Sequence, residues 1–139
     1  MKGCYTVPPE EVFKAYFASN EERAILHLMQ PHPPFIGETS LPIPWLVDLE
    51  KKGVVKPGDQ NRYRALYPYW VEKYGEDYVR KAYFDNAKYV VDKVRTFIDK
   101  LSCRVVITSD HGELLGENGR WGHLGLEVPE LRIVPWVEL

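Results

Sequence analysis

Cysteine is scarce in this chain, and the two it has, Cys4 and Cys103, stand far apart with no metal-ligand spacing between them. Two such thiols make neither a disulfide framework nor a cysteine metal site, and both read as reduced structural thiols. A surplus of one charge is lacking too. The 18 Lys and Arg nearly balance the 20 Asp and Glu, leaving a net charge of -2, and without a basic excess there is no footprint for nucleic acid. No apolar run approaches the length of a membrane span. The first residues, "MKGCYTVPPEEVF", have none of the apolar core of a signal peptide, which makes a cytoplasmic address the expectation. Internal repeats and low-complexity tracts are missing as well. What is there is the make-up of one ordinary globular domain: 139 residues, 45% apolar and 27% charged, long enough for a hydrophobic core.

"PPEEVFKAYFAS" predicts a short helix. Proline stands at its start, Glu10 and Glu11 fall in the first turn, and Val12, Phe13, Tyr16 and Phe17 share one face. Residues 1–22 therefore form an N-terminal helical segment, and 23–139 the body of a single domain. "RAILHLM" is a nearly continuous apolar run and predicts a strand over Ala24–Met29 buried on both faces. The prolines of "QPHPPFIG" then end regular structure. From Glu38 to Tyr74 the prolines at 42, 44, 57 and 68 break the pattern, and the segment reads as a loop excursion packed on the body.

From Glu76 to about Leu101 the period turns helical, with Tyr83, Ala87, Val90, Val94, Phe97 and Leu101 at spacings of three and four. "CRVVITS" predicts a second buried strand. "RIVPWVEL" predicts a third, with Pro135 marking an edge or a bulge. Strand, helical connection, strand is the βαβ pattern, so the expected fold is α/β: a partial, mostly parallel sheet flanked by helices.

In such sheets ligands bind beyond the carboxyl ends of the strands. All four histidines lie in the segments after the first two strands or in the strand leading to one of them. Asp110 and His111 pair a hard oxygen with a borderline nitrogen, a set that suits zinc, manganese or iron better than calcium. Gly112 would let the backbone turn tightly beside an ion. Glu113 could hold an imidazole in its metal-binding tautomer. His123, between Gly122 and Leu124, could return to the same centre, and His32 is presented by a stiff proline loop. Arg120, Arg62 and Arg64 could meet an anionic substrate. Plainer roles are open to the same residues: a helix cap or turn for Asp110 and His111, surface positions for His123 and the arginines, an incidental loop histidine for His32. His27, inside the apolar run, reads as a hydrogen-bonded core histidine.

"VVITSDHGELLGENGRWGHLG" resembles the C-terminal metal-binding segment of the alkaline phosphatase–sulfatase superfamily, with its strand ending in Ser-Asp-His-Gly-Glu and its later Gly-His. "ILHLMQPHPPF" looks like that family's central strand and His-Pro-Pro loop. "YFDNAKYVVDKVRTFIDKL" is similar to the helix that joins the two, and "ELRIVPWVEL" to the strand that follows. The resemblance runs from about Arg23 to the end. It implies that Asp110 and His111 bind one metal of a two-metal centre and that His123 binds the other. His32 would join that second site or touch the substrate's anionic group. The metal would be zinc or manganese, with calcium or magnesium as alternatives, and the substrates phosphate or sulfate esters attacked in line by a Ser, Thr or formylglycine nucleophile.

That nucleophile and further metal-binding carboxylates come, in the family, from a long N-terminal half. Only about 22 residues precede the first matching strand here, and neither Cys4 nor Thr6 sits in a nucleophile motif. The resemblance therefore implies a fragment or split form of a metal-dependent hydrolase, inactive alone, whereas the alternative is a non-catalytic metal-binding or assembly module on the same fold. Three strands and two or three helices leave sheet surface uncovered, so a homodimer, or a partner chain supplying the missing half, is expected. Neither a nucleic-acid nor a membrane partner is expected.

Overall fold

The computed structural model describes residues 6–43, 65–123, 125 and 127–139. In chain order the elements are α1 (Pro9–Ala18), α2 (Leu66–Tyr74), α3 (Glu76–Ile98), β1 (Val106–Thr108), β2 (Leu114–Leu115), a single 3-10 turn (Glu117–Gly119), β3 (Trp121–Gly122), α4 (Pro129–Arg132) and β4 (Trp136–Glu138). The chain divides into two compact units. The first is Met1–Pro42 with Lys81–Leu101, and the second is Ile43–Arg80 with Ser102–Leu139. Among the described residues, no helix is long and apolar enough to cross a membrane.

The first unit is helical. Pro9 opens α1, where its missing N–H costs nothing, and Glu10 and Glu11 complement the helix N-terminus. Phe13 lies stacked on Phe97 of α3 with ring centroids 4.1 Å apart, and Tyr16 and Phe17 meet Phe97 edge-on. Farther along α3, Val90 and Ala82 are buried, and Tyr83 meets the buried Phe35 at a right angle. Of the stripe that predicted this helix, Val90 and Phe97 are buried and Tyr83 packs on Phe35. The fully buried Val79, Ala82 and Asn86 lie off it, and the helix ends at Ile98, short of Leu101.

Extended backbone between these helices carries the first correction. Residues 24–29, expected as a strand buried on both faces, join no ladder among the described residues. Ile25 is 97% exposed and Met29 half exposed. His27, expected in the core, is exposed too.

Among the described residues, the second unit holds two sheets, each of two antiparallel strands. β1 pairs with β4 in the register Val106↔Glu138, Ile107↔Val137, Thr108↔Trp136, extended by the mutual bonds of Val105 and Leu139. β2 pairs with β3 through Leu114↔Gly122 and Leu115↔Trp121. The expected mostly parallel sheet is thus overturned. Its parallel neighbour was to be 24–29, which makes no ladder, and the partner β1 does take is β4, which runs back alongside it after the short α4. Nor is β1 buried on both faces: Val106 and Thr108 are exposed, as is all of β4. The core of this unit lies instead around α2, where Leu66, Tyr67 and Trp70 are buried together with Val79, Leu114 and Leu131.

Candidate metal centre

The polar segment after β1 is folded by its own short side chains. Asp110 accepts the His111 N–H on Oδ1 at 3.1 Å, and the Ser109 hydroxyl donates to the His111 carbonyl at 3.0 Å. Both are local turn bonds of the kind Asp and Ser make. Gly112 then passes so close to α4 that a Cβ there would lie 2.0 Å from the Glu130 carbonyl oxygen, while its N–H donates to Leu131 O at 3.0 Å. The glycine is required by this close approach to protein backbone, which is a different reason from the tight turn beside an ion expected for it.

His111 and Glu113 flank that contact. The His111 Nδ1 lies 2.8 Å from the Gly112 carbonyl oxygen. A carbonyl only accepts, so Nδ1 carries the proton and Nε2 keeps the lone pair. Glu113, whose side chain is only 6% exposed, has Oε2 2.6 Å from His123 Nδ1. The carboxylate therefore fixes His123 in the same tautomer, with Nε2 again the ligating atom. Gly122 takes φ +83° immediately before His123, a conformation that favours glycine, and its open side faces the Tyr67 ring and Glu113 Oε1.

The scaffold beneath this pair is packed. Trp121 of β3 stacks on Tyr67 of α2 with centroids 5.8 Å apart. Arg80 holds the other strand: its Nε donates to Leu115 O at 2.7 Å, its guanidinium lies over the Trp121 ring, and Glu76 accepts from it at 2.6 Å. These contacts fix the β2–β3 hairpin and hence the separation of Glu113 from His123.

The result is that the His111 and His123 rings stand 4.1 Å apart, centroid to centroid, and that one ligand atom from each of His111, Glu113 and His123 lies within 4.8 Å of the others. Donors around a tetrahedral ion at about 2.0–2.1 Å are about 3.3 Å apart, so a small closure would complete the set. Glu113 Oε1 is buried with no hydrogen-bond partner. A buried carboxylate oxygen ordinarily has a partner, and the carboxylate's other oxygen is the one that holds His123. Two imidazoles and a carboxylate fit zinc or manganese.

Asp110 stands outside this trio. It is exposed, with Oδ1 3.8 Å from His111 Nε2. Arg120 is exposed beyond the 3-10 turn, and among the described residues its side chain forms no ion pair. Arg62 and Arg64 fall outside the described residues.

His32 belongs to the first unit. Its N–H donates to Met29 O at 3.0 Å and its Nδ1 lies 2.6 Å from Pro33 O, so this ring too keeps its lone pair on Nε2. The loop around it is clamped by a residue not anticipated from the sequence. Asn86 of α3, fully buried, donates to Pro31 O at 3.0 Å and accepts the Ile36 N–H at 2.9 Å, bracketing His32 from both sides. Gln30 adds a bond to Thr6 Oγ1 and another to Val7 O. The available signal was a lone Asn one position before Ala87 in an apolar stripe.

No family model, curated protein or solved structure matches this chain.

Proposed function

We propose that this chain is a metal-binding fragment or split form of a phosphate- or sulfate-ester hydrolase of the alkaline phosphatase–sulfatase type, without the nucleophile of that type. The His111 and His123 rings standing 4.1 Å apart, with the buried Glu113 holding His123 at Nδ1, are the observation that carries this reading. His111 and His123 would hold a divalent ion through Nε2, zinc or manganese before calcium or magnesium. Glu113 orients His123 through its Nδ1. A bound ion would polarise the ester and stabilise the charge that develops on it. Asp110 joins the ligands on rotating away from its own backbone bond. Arg120 meets the ester's anionic group from the exposed turn.

Two features support a partner. Ser109, the hydroxyl nearest in sequence to the ligands, is committed to the His111 carbonyl. The β1–β4 pair leaves Val106, Trp136, Val137 and Leu139 exposed, an apolar surface suited to a homodimer or a separate chain. A second reading, a non-catalytic metal-binding or assembly module, is favoured by the position of Asp110 outside the trio.

Zinc and manganese titration of the purified chain, followed by calorimetry and by the imidazole nitrogen resonances, tests the site directly. One ion per chain with the Nε2 resonances of His111 and His123 shifted is expected, and its loss in His123→Ala. Assays with nitrophenyl phosphate and nitrophenyl sulfate should show no robust turnover by the chain alone, since the covalent route lacks its nucleophile. No metal binding would overturn the site. Robust turnover abolished by Asp110→Ala would overturn the partner requirement.

A further inference from the structure

We propose that the first unit carries a second, separate ligand site: a recess between α1 and the end of α3 that takes an aromatic organic anion. The recess measures about 310 Å³, at the lower end of the range for small-molecule sites. Its floor is aromatic. The stacked, largely buried Phe13–Phe97 pair lines its base, and Phe17 stands across Phe97 with centroids 5.4 Å apart. Phe17 is 52% exposed, so a ring entering here would cover apolar surface that now faces water.

The rim decides the charge of the ligand. Lys14, Lys93 and Lys100 line it, against the single acid Glu10. Glu10 is already engaged, by Lys93 at 2.5 Å and by the Tyr89 hydroxyl at 3.1 Å, and Lys14 is held by Glu11 at 2.6 Å. Lys100 has no carboxylate partner among the described residues and is the surplus cation. An apolar floor with one uncompensated ammonium at its edge matches a fused or single aromatic ring bearing a carboxylate, sulfonate or phosphate. A second copy of the chain is a poorer occupant. Self-docking about a two-fold axis would bring this lysine-rich rim against its own image. The site is independent of the metal centre and stands or falls separately from it.

Amide proton–nitrogen correlation spectra of the full chain, titrated with naphthalene sulfonate and in parallel with the neutral naphthalene methanol, test the proposal. Saturable shifts from one sulfonate per chain are expected, confined to residues 13–17 and 93–100, with the neutral analogue weaker. Lys100→Glu should weaken the sulfonate about tenfold and leave the neutral compound unchanged, which separates charge recognition from simple apolar adhesion. Phe17→Ser, at a half-exposed position where the fold should survive, should weaken both. Shifts centred on the exposed 133–139 segment, an unchanged sulfonate affinity in Lys100→Glu, or saturation by anionic vesicles or acidic peptides alone would each overturn it.

Discussion

The two strand pairs of the second unit are opposite in character. β2–β3 is the shorter ladder, yet Leu114 is almost wholly buried, Trp121 is stacked on Tyr67, and Arg80 ties Leu115 down. β1–β4 is longer, and every residue of β4 is exposed. A two-stranded ladder is marginal unless something packs on it. The hairpin that carries His123 has such a support within the unit, and among the described residues the longer pair has none of comparable extent. The geometry of the proposed metal site therefore depends on α2 packing, while β1–β4 is the place where a partner would act.

The sharpest way to break that contrast is Trp70→Ala. Trp70 is fully buried and meets Tyr67 edge-on, and removing such a side chain costs about 3–5 kcal/mol. Thermal unfolding should show this loss, and the His111 and His123 resonances should lose any metal-induced shift before the fold is gone. A variant that keeps full stability would mean that α2 is not the support.

The same contrast recurs in the first unit, between the loop clamped by Asn86 and the 24–29 segment, which joins no ladder among the described residues. Asn86→Leu leaves the Ile36 N–H and the Pro31 carbonyl unmet beside a fully buried position, at sites that are themselves only partly buried. A buried unmet group costs about 1–3 kcal/mol, and for these partly buried ones a combined loss of about 2 kcal/mol is expected by denaturant unfolding. Ile25→Thr, at a position 97% exposed, should cost less than about 0.5 kcal/mol.

Helices were legible in this sequence because their period states which residues share a face. The stripe from Tyr83 to Phe97 and the aromatic face of α1 both pack as their spacing implied. α2 was missed because Pro68 reads as a breaker. It stands in the first turn of Leu66–Tyr74, where the N–H groups have no intrahelical partner anyway. The strands failed for a different reason. "RAILHLM" shows an apolar run, but burial and pairing depend on what lies alongside, and no single segment encodes that. At the candidate metal site, residue type and position suggested that His111 and His123 could reach one centre, and their rings stand 4.1 Å apart. The role of Gly112 was not, because the α4 backbone it touches lies far along the chain.

A smaller effect sharpens the partner side of the comparison. Trp136→Ser, at a residue 64% exposed, should change monomer stability by less than about 0.5 kcal/mol. It should instead weaken self-association or partner binding, seen as a lower weight-average mass by sedimentation at micromolar concentration. If the unsubstituted chain is already a stable monomer and Trp136→Ser unfolds it as Trp70→Ala does, the two strand pairs are not different in kind.

The smallest expected effect lies on the helical side. Burial pushes the Glu10 carboxyl up, but its bonds from Lys93, from its own backbone and from Tyr89 outweigh that, and the net position is below the ordinary 4.5. A carboxylate with a lowered folded value stabilises the fold above the unfolded value and loses that contribution as pH falls through the folded one. The Glu10–Lys93 pair should therefore stabilise α1 against α3 above about pH 4.5 and fade below it. With both side chains 39% exposed, solvent and salt screen the pair and keep the effect small. Melting temperatures of the unsubstituted chain and of Glu10→Gln, taken from pH 3 to 7 at low and high salt, should diverge slightly at neutral pH and converge in acid. Curves that run parallel across the whole range would mean that Phe13 and Phe97, rather than the ion pair, hold the two helices together.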